Sequence, residues 1–178
     1  MQVEGLDQFE FLADALAEAD ARIESDPLPL HTRRQAHRGA LEQELADLHG
    51  KTLQSIRGWS PSEVFNHCAQ SIDYSIDGYP ELKPTWFRHS LGPAAFAVFS
   101  ARGAMRHPLD EAIPGAAALT EPADQALALQ RLQMAFQRFA EHQGALQPHF
   151  AYGALDKPDY TRAHLMHLAN HAERVRQA

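Results

Sequence analysis

The sequence predicts an all-α protein: an up-down helical bundle with one long crossover. Three observations carry this reading. Apolar residues recur at three- and four-residue spacing in several separate stretches, which is the period of one helix face. No stretch shows convincing strand alternation, and no internal repeat is present. Pro84, Pro93, Pro108 and Pro114, with Gly92, Gly103 and Gly115, break up residues 81–121 between clearly helical neighbours.

The elements follow in chain order. Residues 6–24 read as a first helix, with Phe9, Leu12, Leu16, Ala19 and Ile23 on one face. "DPLPLH" ends it, since each proline lacks a donor and restricts the residue before it. A second amphipathic stretch over about 31–57 carries Leu41, Leu45, Leu48 and Ile56, with Gly50 as a candidate interruption. "GWSPSEVFNHCAQSIDYSIDGYP" opens on a strong start signal. Ser60 suits the N-cap, Pro61 the first helical position, and Glu63 completes a capping box. Gly78 and Pro80 stop this helix, giving about 61–77. Val64, Cys68, Ile72 and Ile76 form its core stripe, and His67, Ser71 and Tyr74 the adjoining one.

Residues 81–121 form the crossover, with a short helix in "GPAAFAVFSARGAM". A connection this long inside a compact domain is often functional. The next helix, about 122–142, lines its core with Leu129, Leu132, Phe136 and Phe139. "LQPHFAYGALDKPDY" is turn-rich, and its end caps a last helix over about 157–176.

Composition narrows the function classes. The chain of 178 residues suits a single domain spanning 1–178, and 44% apolar content is enough for a core. A net charge of -7 argues against a nucleic-acid surface, which needs a concentrated positive field. No stretch approaches the ~18 apolar residues of a membrane span, so no membrane partner is expected. The acidic N-terminus lacks the pattern of a secretory leader, and a cytoplasmic location is the expectation. The lone cysteine, Cys68, allows no intrachain disulfide and reads as a small buried apolar residue.

"HLMHLANH" gathers His164, His167 and His171 near the chain's end. Offsets of three and four residues return to one helix face. His167 and His171 have the spacing that lets two imidazoles meet one metal ion. His67, on another helix, would face them in an antiparallel bundle. Three nitrogens with an open position is the pattern of catalytic zinc, whereas the same stripe could equally pack as hydrogen-bonded core. Spacing alone leaves both readings open.

Four segments resemble a known family: "GWSPSEVFNHCAQSIDYSIDGYPE", "FRHSLGPAAFAVFSARGAM", "LQPHFAYGALDKPDY" and "HLMHLANH". Together they cover roughly 58–171 and are similar to the DinB/YfiT-like superfamily, in particular an uncharacterised, domain-of-unknown-function branch of it. The resemblance implies a four-helix bundle of up-down-down-up type with a long crossover, here with an extra N-terminal helix. It also implies a divalent metal held by three histidines, one on the second bundle helix and two in an H-x-x-x-H pair on the last. His67, His167 and His171 match those positions. Many relatives carry a further histidine four residues on, where this chain has Val175, so His164 stands in reserve.

The function expected from this set is metal-dependent enzymology at a three-histidine site with an open position. Zinc or nickel suits imidazole nitrogen. Such an ion acidifies a bound water or thiol. The resemblance implies a thiol-dependent transferase or isomerase using a low-molecular-weight thiol, and hydrolysis by a metal-bound hydroxide would use the same site. The expected partner is a small-molecule substrate, and a homodimer is compatible. The alternative is a non-catalytic metal-binding or dimerisation bundle. Ser71 and Tyr74 are candidate partners for His67, and His149 is expected to order its turn. His164 is expected at the rim of the site. Trp86, Phe87, Arg88 and His89 are candidates for a lid.

Overall fold

The computed structural model describes residue 43 and residues 45–119 and 123–178. The helix expected over 6–24, and the start of the one expected over 31–57, lie outside these residues. The described chain is mostly helical: α1 is Pro61–Asp77, α2 Thr85–Arg88, α3 Leu91–Arg102, α4 Gln125–Glu141 and α5 Lys157–Ala172.

The local signals explain the ends. The Ser60 hydroxyl accepts from the Glu63 amide, and the Glu63 carboxylate accepts from the Ser60 amide at 2.7 Å. This satisfies two donors that the first turn of α1 would otherwise leave unpaired. Asp124 and Asp156 cap α4 and α5 through one bond each, their carboxylates accepting from the amides of Leu127 and Asp159. At the other end of α4, Lys157 donates to the carbonyls of Ala140 and His142 at 2.9 and 2.6 Å. A cation there meets the negative end of the helix.

Three long helices surround the main core. Val64, Cys68 and Ile72 of α1 meet Ala128, Leu129, Leu132, Ala135 and Phe139 of α4, with Tyr160 and Leu168 from α5. A second, smaller cluster joins Phe96 of α3 and Met105 of the crossover to Ala163 and Met166 of α5. So α5 is sandwiched: one side faces the bundle and the other faces the crossover. Gly92 makes that second contact feasible. A Cβ there would sit 1.9 Å from the Ala151 carbonyl oxygen, so only glycine lets α3 approach this turn.

Two expectations need correction. A small antiparallel sheet exists, β1 (Leu53–Ser55) paired with β2 (Val175–Gln177), with Gln54 opposite Arg176. Strands of three residues are too short to show alternation, and their pairing joins distant parts of the chain. The stretch expected as helix to residue 57 therefore turns at 48–50, with Gly50 at φ 77°, and continues as β1. The last helix likewise stops at Ala172, because Val175 is drawn into β2 and buried. The 81–121 segment contains α2 and α3 and no strand among its described residues.

Candidate metal centre

The capping box fixes where α1 begins, and this sets which way each residue points. With Val64, Cys68 and Ile72 turned to α4, His67 falls on the side facing α5. One turn separates His167 from His171 on α5. Their rings meet that of His67: Nε2 of His167 lies 3.1 Å from Nε2 of His67 and 3.1 Å from Nε2 of His171. The ring centroids are 4.8–4.9 Å apart. All three donor atoms lie within 4.8 Å of one another, and the group could hold a metal ion.

The donor set passes a chemical test. Zinc–nitrogen bonds of 2.0–2.1 Å at tetrahedral angles place ligand nitrogens about 3.3 Å apart. Without an ion, Nε2 of His167 must serve two imidazole nitrogens at once, and a single N–H or lone pair does this poorly. With three lone pairs aimed at one point, no such compromise arises. The second nitrogen of His67 departs from the usual pattern of metal sites: Nδ1 is buried without a hydrogen-bond partner. Neither Ser71 nor Tyr74, the expected partners, bonds to it.

Electrostatics keep these rings neutral, as ligation requires. Burial lowers the pKa of His67 to about 4, with His107 adding to the effect. Burial likewise lowers His171 to about 2, helped by His67, His107 and Arg174. His167 is held well below 6.5 by burial and then by its histidine neighbours.

Two contributors were missed in the sequence. Trp59, directly before the N-cap, stacks on His171 at 7° and 5.9 Å and leans on His67 at 4.8 Å. Its position beside a cap gave no sign of this. His107, from the crossover, stands 5.0 Å from His167 and 5.1 Å from His171, ring to ring. A histidine in "MRHPLD" has no periodicity to place it. Its segment is held down by Asp110, which pairs with Arg174 at 2.7 Å. Gly58 lies beneath that carboxylate, where a Cβ would come within 2.0 Å of the Asp110 oxygen.

A cavity of about 220 Å³ adjoins the triad. His67, His167 and Ser71 form one wall, Met105, His107, Glu111 and Ile113 of the crossover another, and His149, Tyr152 and His164 the floor, with Lys83 also lining it. The covering segment is thus 105–114. Residues 86–89, the expected lid, do not line the cavity, and Trp86 is 64% exposed. His164 is not at the rim. It is 3% exposed, contacts the Ser75 hydroxyl through Nε2 at 3.3 Å and stacks on Tyr160. His149 orders its turn as expected, its Nδ1 accepting from the amides of Ala151 and Tyr152, each at 3.1 Å. Cys68 is buried in the main core, where desolvation pushes its thiol pKa up, away from nucleophilic character. No helix among the described residues is long and apolar enough to cross a membrane.

A family model described as "Protein of unknown function (DUF1569)" matches residues 32–178. The chain belongs to the DUF1569 family. The match spans both helices that carry the histidine triad, the whole crossover and the two-stranded sheet. No curated protein and no solved structure matches this DUF1569 chain.

Proposed function

We propose that this DUF1569 chain is a DinB-like bundle that binds one divalent metal through His67, His167 and His171 and uses it for catalysis on a small molecule. One observation carries the reading: three imidazole nitrogens converge beside a cavity of about 220 Å³. The resemblance of the sequence to the DinB/YfiT-like superfamily supports the same ligand positions. A bound zinc or nickel ion would supply Lewis acidity, lowering the pKa of a water or thiol that binds at its open position.

The chain's own groups define the rest of the chemistry. His149 spends Nδ1 on two backbone amides, so its proton sits on Nε2 and gives the cavity a neutral donor. Lys83 and Glu111 place opposite charges on the cavity wall, suited to a polar substrate. Met105, Ile113 and Tyr152 supply apolar surface that excludes water from the far side. Such walls fit a small electrophile combined with a low-molecular-weight thiol, or a hydrolysable bond. The non-catalytic alternative draws support from His107, a fourth imidazole beside the triad. The cavity favours the enzyme.

The test begins with elemental analysis of full-length protein purified without a metal-affinity tag. About one zinc or nickel per chain is the expected result. Metal-loaded and chelator-stripped protein are then compared for thiol-dependent consumption of a small electrophile and for ester hydrolysis. Turnover in the loaded form alone supports the reading. Trace metal in the parent after reconstitution would remove its chemistry.

A further inference from the structure

His107 has no place in the ligand set above, yet its surroundings are those of a ligand. Its Nδ1 lies 2.8 Å from the Pro108 carbonyl oxygen. A carbonyl oxygen only accepts, so Nδ1 carries the proton and Nε2 the lone pair. That Nε2 is buried and has no hydrogen-bond partner. Metal-bound imidazoles commonly give their second N–H to a backbone carbonyl, which fixes this tautomer and the ring's orientation. The ring centroid stands 5.0 and 5.1 Å from those of His167 and His171, while its nitrogens lie outside the 4.8 Å grouping of the triad's donor atoms, so ligation requires the crossover to move inward on the ion.

We infer that His107 is a fourth protein ligand, brought by the crossover to the ion that His67, His167 and His171 hold. The inference rests on the metal reading above and deepens it. Three of the ligands stand on bundle helices. The fourth comes from the irregular segment between α3 and α4, anchored nearby by the Arg174–Asp110 pair. Metal binding then ties the crossover to the bundle and shapes the cavity wall that the crossover forms. Four-coordinate metal sites can expand to five ligands, so a substrate donor can still enter from the cavity. It can also replace His107, the one ligand not fixed by a helix.

Cobalt(II) alone is the probe, titrated into metal-stripped full-length protein. Affinity is read by competition with a chelator, and coordination by visible absorption. The parent should bind one cobalt per chain. His107→Ala should also bind one, but more than about tenfold more weakly, the least that losing even an outer partner of a metal site tends to cause. Its absorption bands should shift as an imidazole leaves the sphere. His107→Phe keeps the ring's bulk and should reproduce both changes, which separates ligation from packing. His167→Ala should bind far more weakly than either. If both His107 variants keep the parent's affinity and spectrum while His167→Ala loses binding, His107 is not a ligand and the triad stands. If the parent binds no cobalt, or His167→Ala binds like the parent, the triad reading fails and takes this inference with it.

Discussion

His164 and His167 are three residues apart on α5 and both line the same cavity, yet their nitrogens are treated in opposite ways. Around His164 the protein supplies ordinary partners. Nε2 meets the Ser75 hydroxyl, the ring stacks on Tyr160, and the Tyr160 hydroxyl is in turn engaged by the Gln147 carbonyl at 2.7 Å. The neighbouring His149 is settled by two backbone amides. Around His167 the polar partners of Nε2 are other imidazoles. Burial and helical spacing therefore do not mark a ligand. What marks it is that the Nε2 of His167 meets two other imidazole nitrogens and that the three converge.

The largest expected effect separates the two groups outright. Single alanine substitutions at His67, His167 or His171 should each reduce bound metal per chain at micromolar zinc from about one to near zero, by more than about a hundredfold in affinity. His164→Ala should keep full stoichiometry. It should instead destabilise the stripped protein by about 2–4 kcal/mol in denaturant unfolding, chiefly through the lost buried ring, since the Ser75 hydroxyl keeps its bond to the Ile72 carbonyl. Metal loss in the His164 variant with retention in the other three would reverse the assignment.

A second prediction concerns pH. Burial lowers the His164 pKa to about 3 and holds His149 well below its ordinary value. Their folded-state pKa values are depressed, so the unfolded chain binds more protons below pH 6.5. The stabilisation is therefore complete above that pH and declines as pH falls towards the folded values. For one such histidine the loss between pH 7 and 5 is about 2 kcal/mol. Unfolding of the stripped parent followed across this range should show the decline, and His164→Gln should reduce it by one histidine's share, the other buried histidines still contributing. A profile identical in the two proteins would mean that His164 is charged, or free to become so, in the fold.

The smallest effect tests the scaffold rather than the site. Ser60→Ala removes the α1 cap and should cost about 1 kcal/mol of stability. Because α1 sets the direction of His67, a modest loss of metal affinity should accompany it. Full affinity at reduced stability would show that packing against α4 alone suffices to aim His67.

Much of the scaffold was legible in the sequence, because Ser60, Pro61, Glu63, Asp124 and Asp156 act on residues close to them in the chain. α1 begins and ends at the residues its cap and Gly78 dictate. The convergence of His67 with His167 and His171 was also readable, since helical spacing placed two and the resemblance placed the third. The sheet was not. β1 and β2 are three residues each and gain their pairing only when distant parts of the chain meet. His107 and Trp59 were missed for a related reason. Neither sits on a periodic stripe, and tertiary contacts across the crossover decide where they point. The lid was misplaced because aromatic content drew attention to residues 86–89, whereas the covering segment 105–114 is held by Asp110 and buried Leu109 and Ile113.

The central claim, that the later two histidines on α5 hold a metal and the earlier one does not, is tested most directly by zinc-dependent thermal unfolding of three stripped proteins. A ligand present at a thousandfold over its Kd adds about 4 kcal/mol to stability. For a chain of this size that raises Tm by about 8–16 °C. The account predicts this rise in the parent and in His164→Gln, and none in His167→Ala. Equal rises in all three, or no rise in the parent, would contradict it.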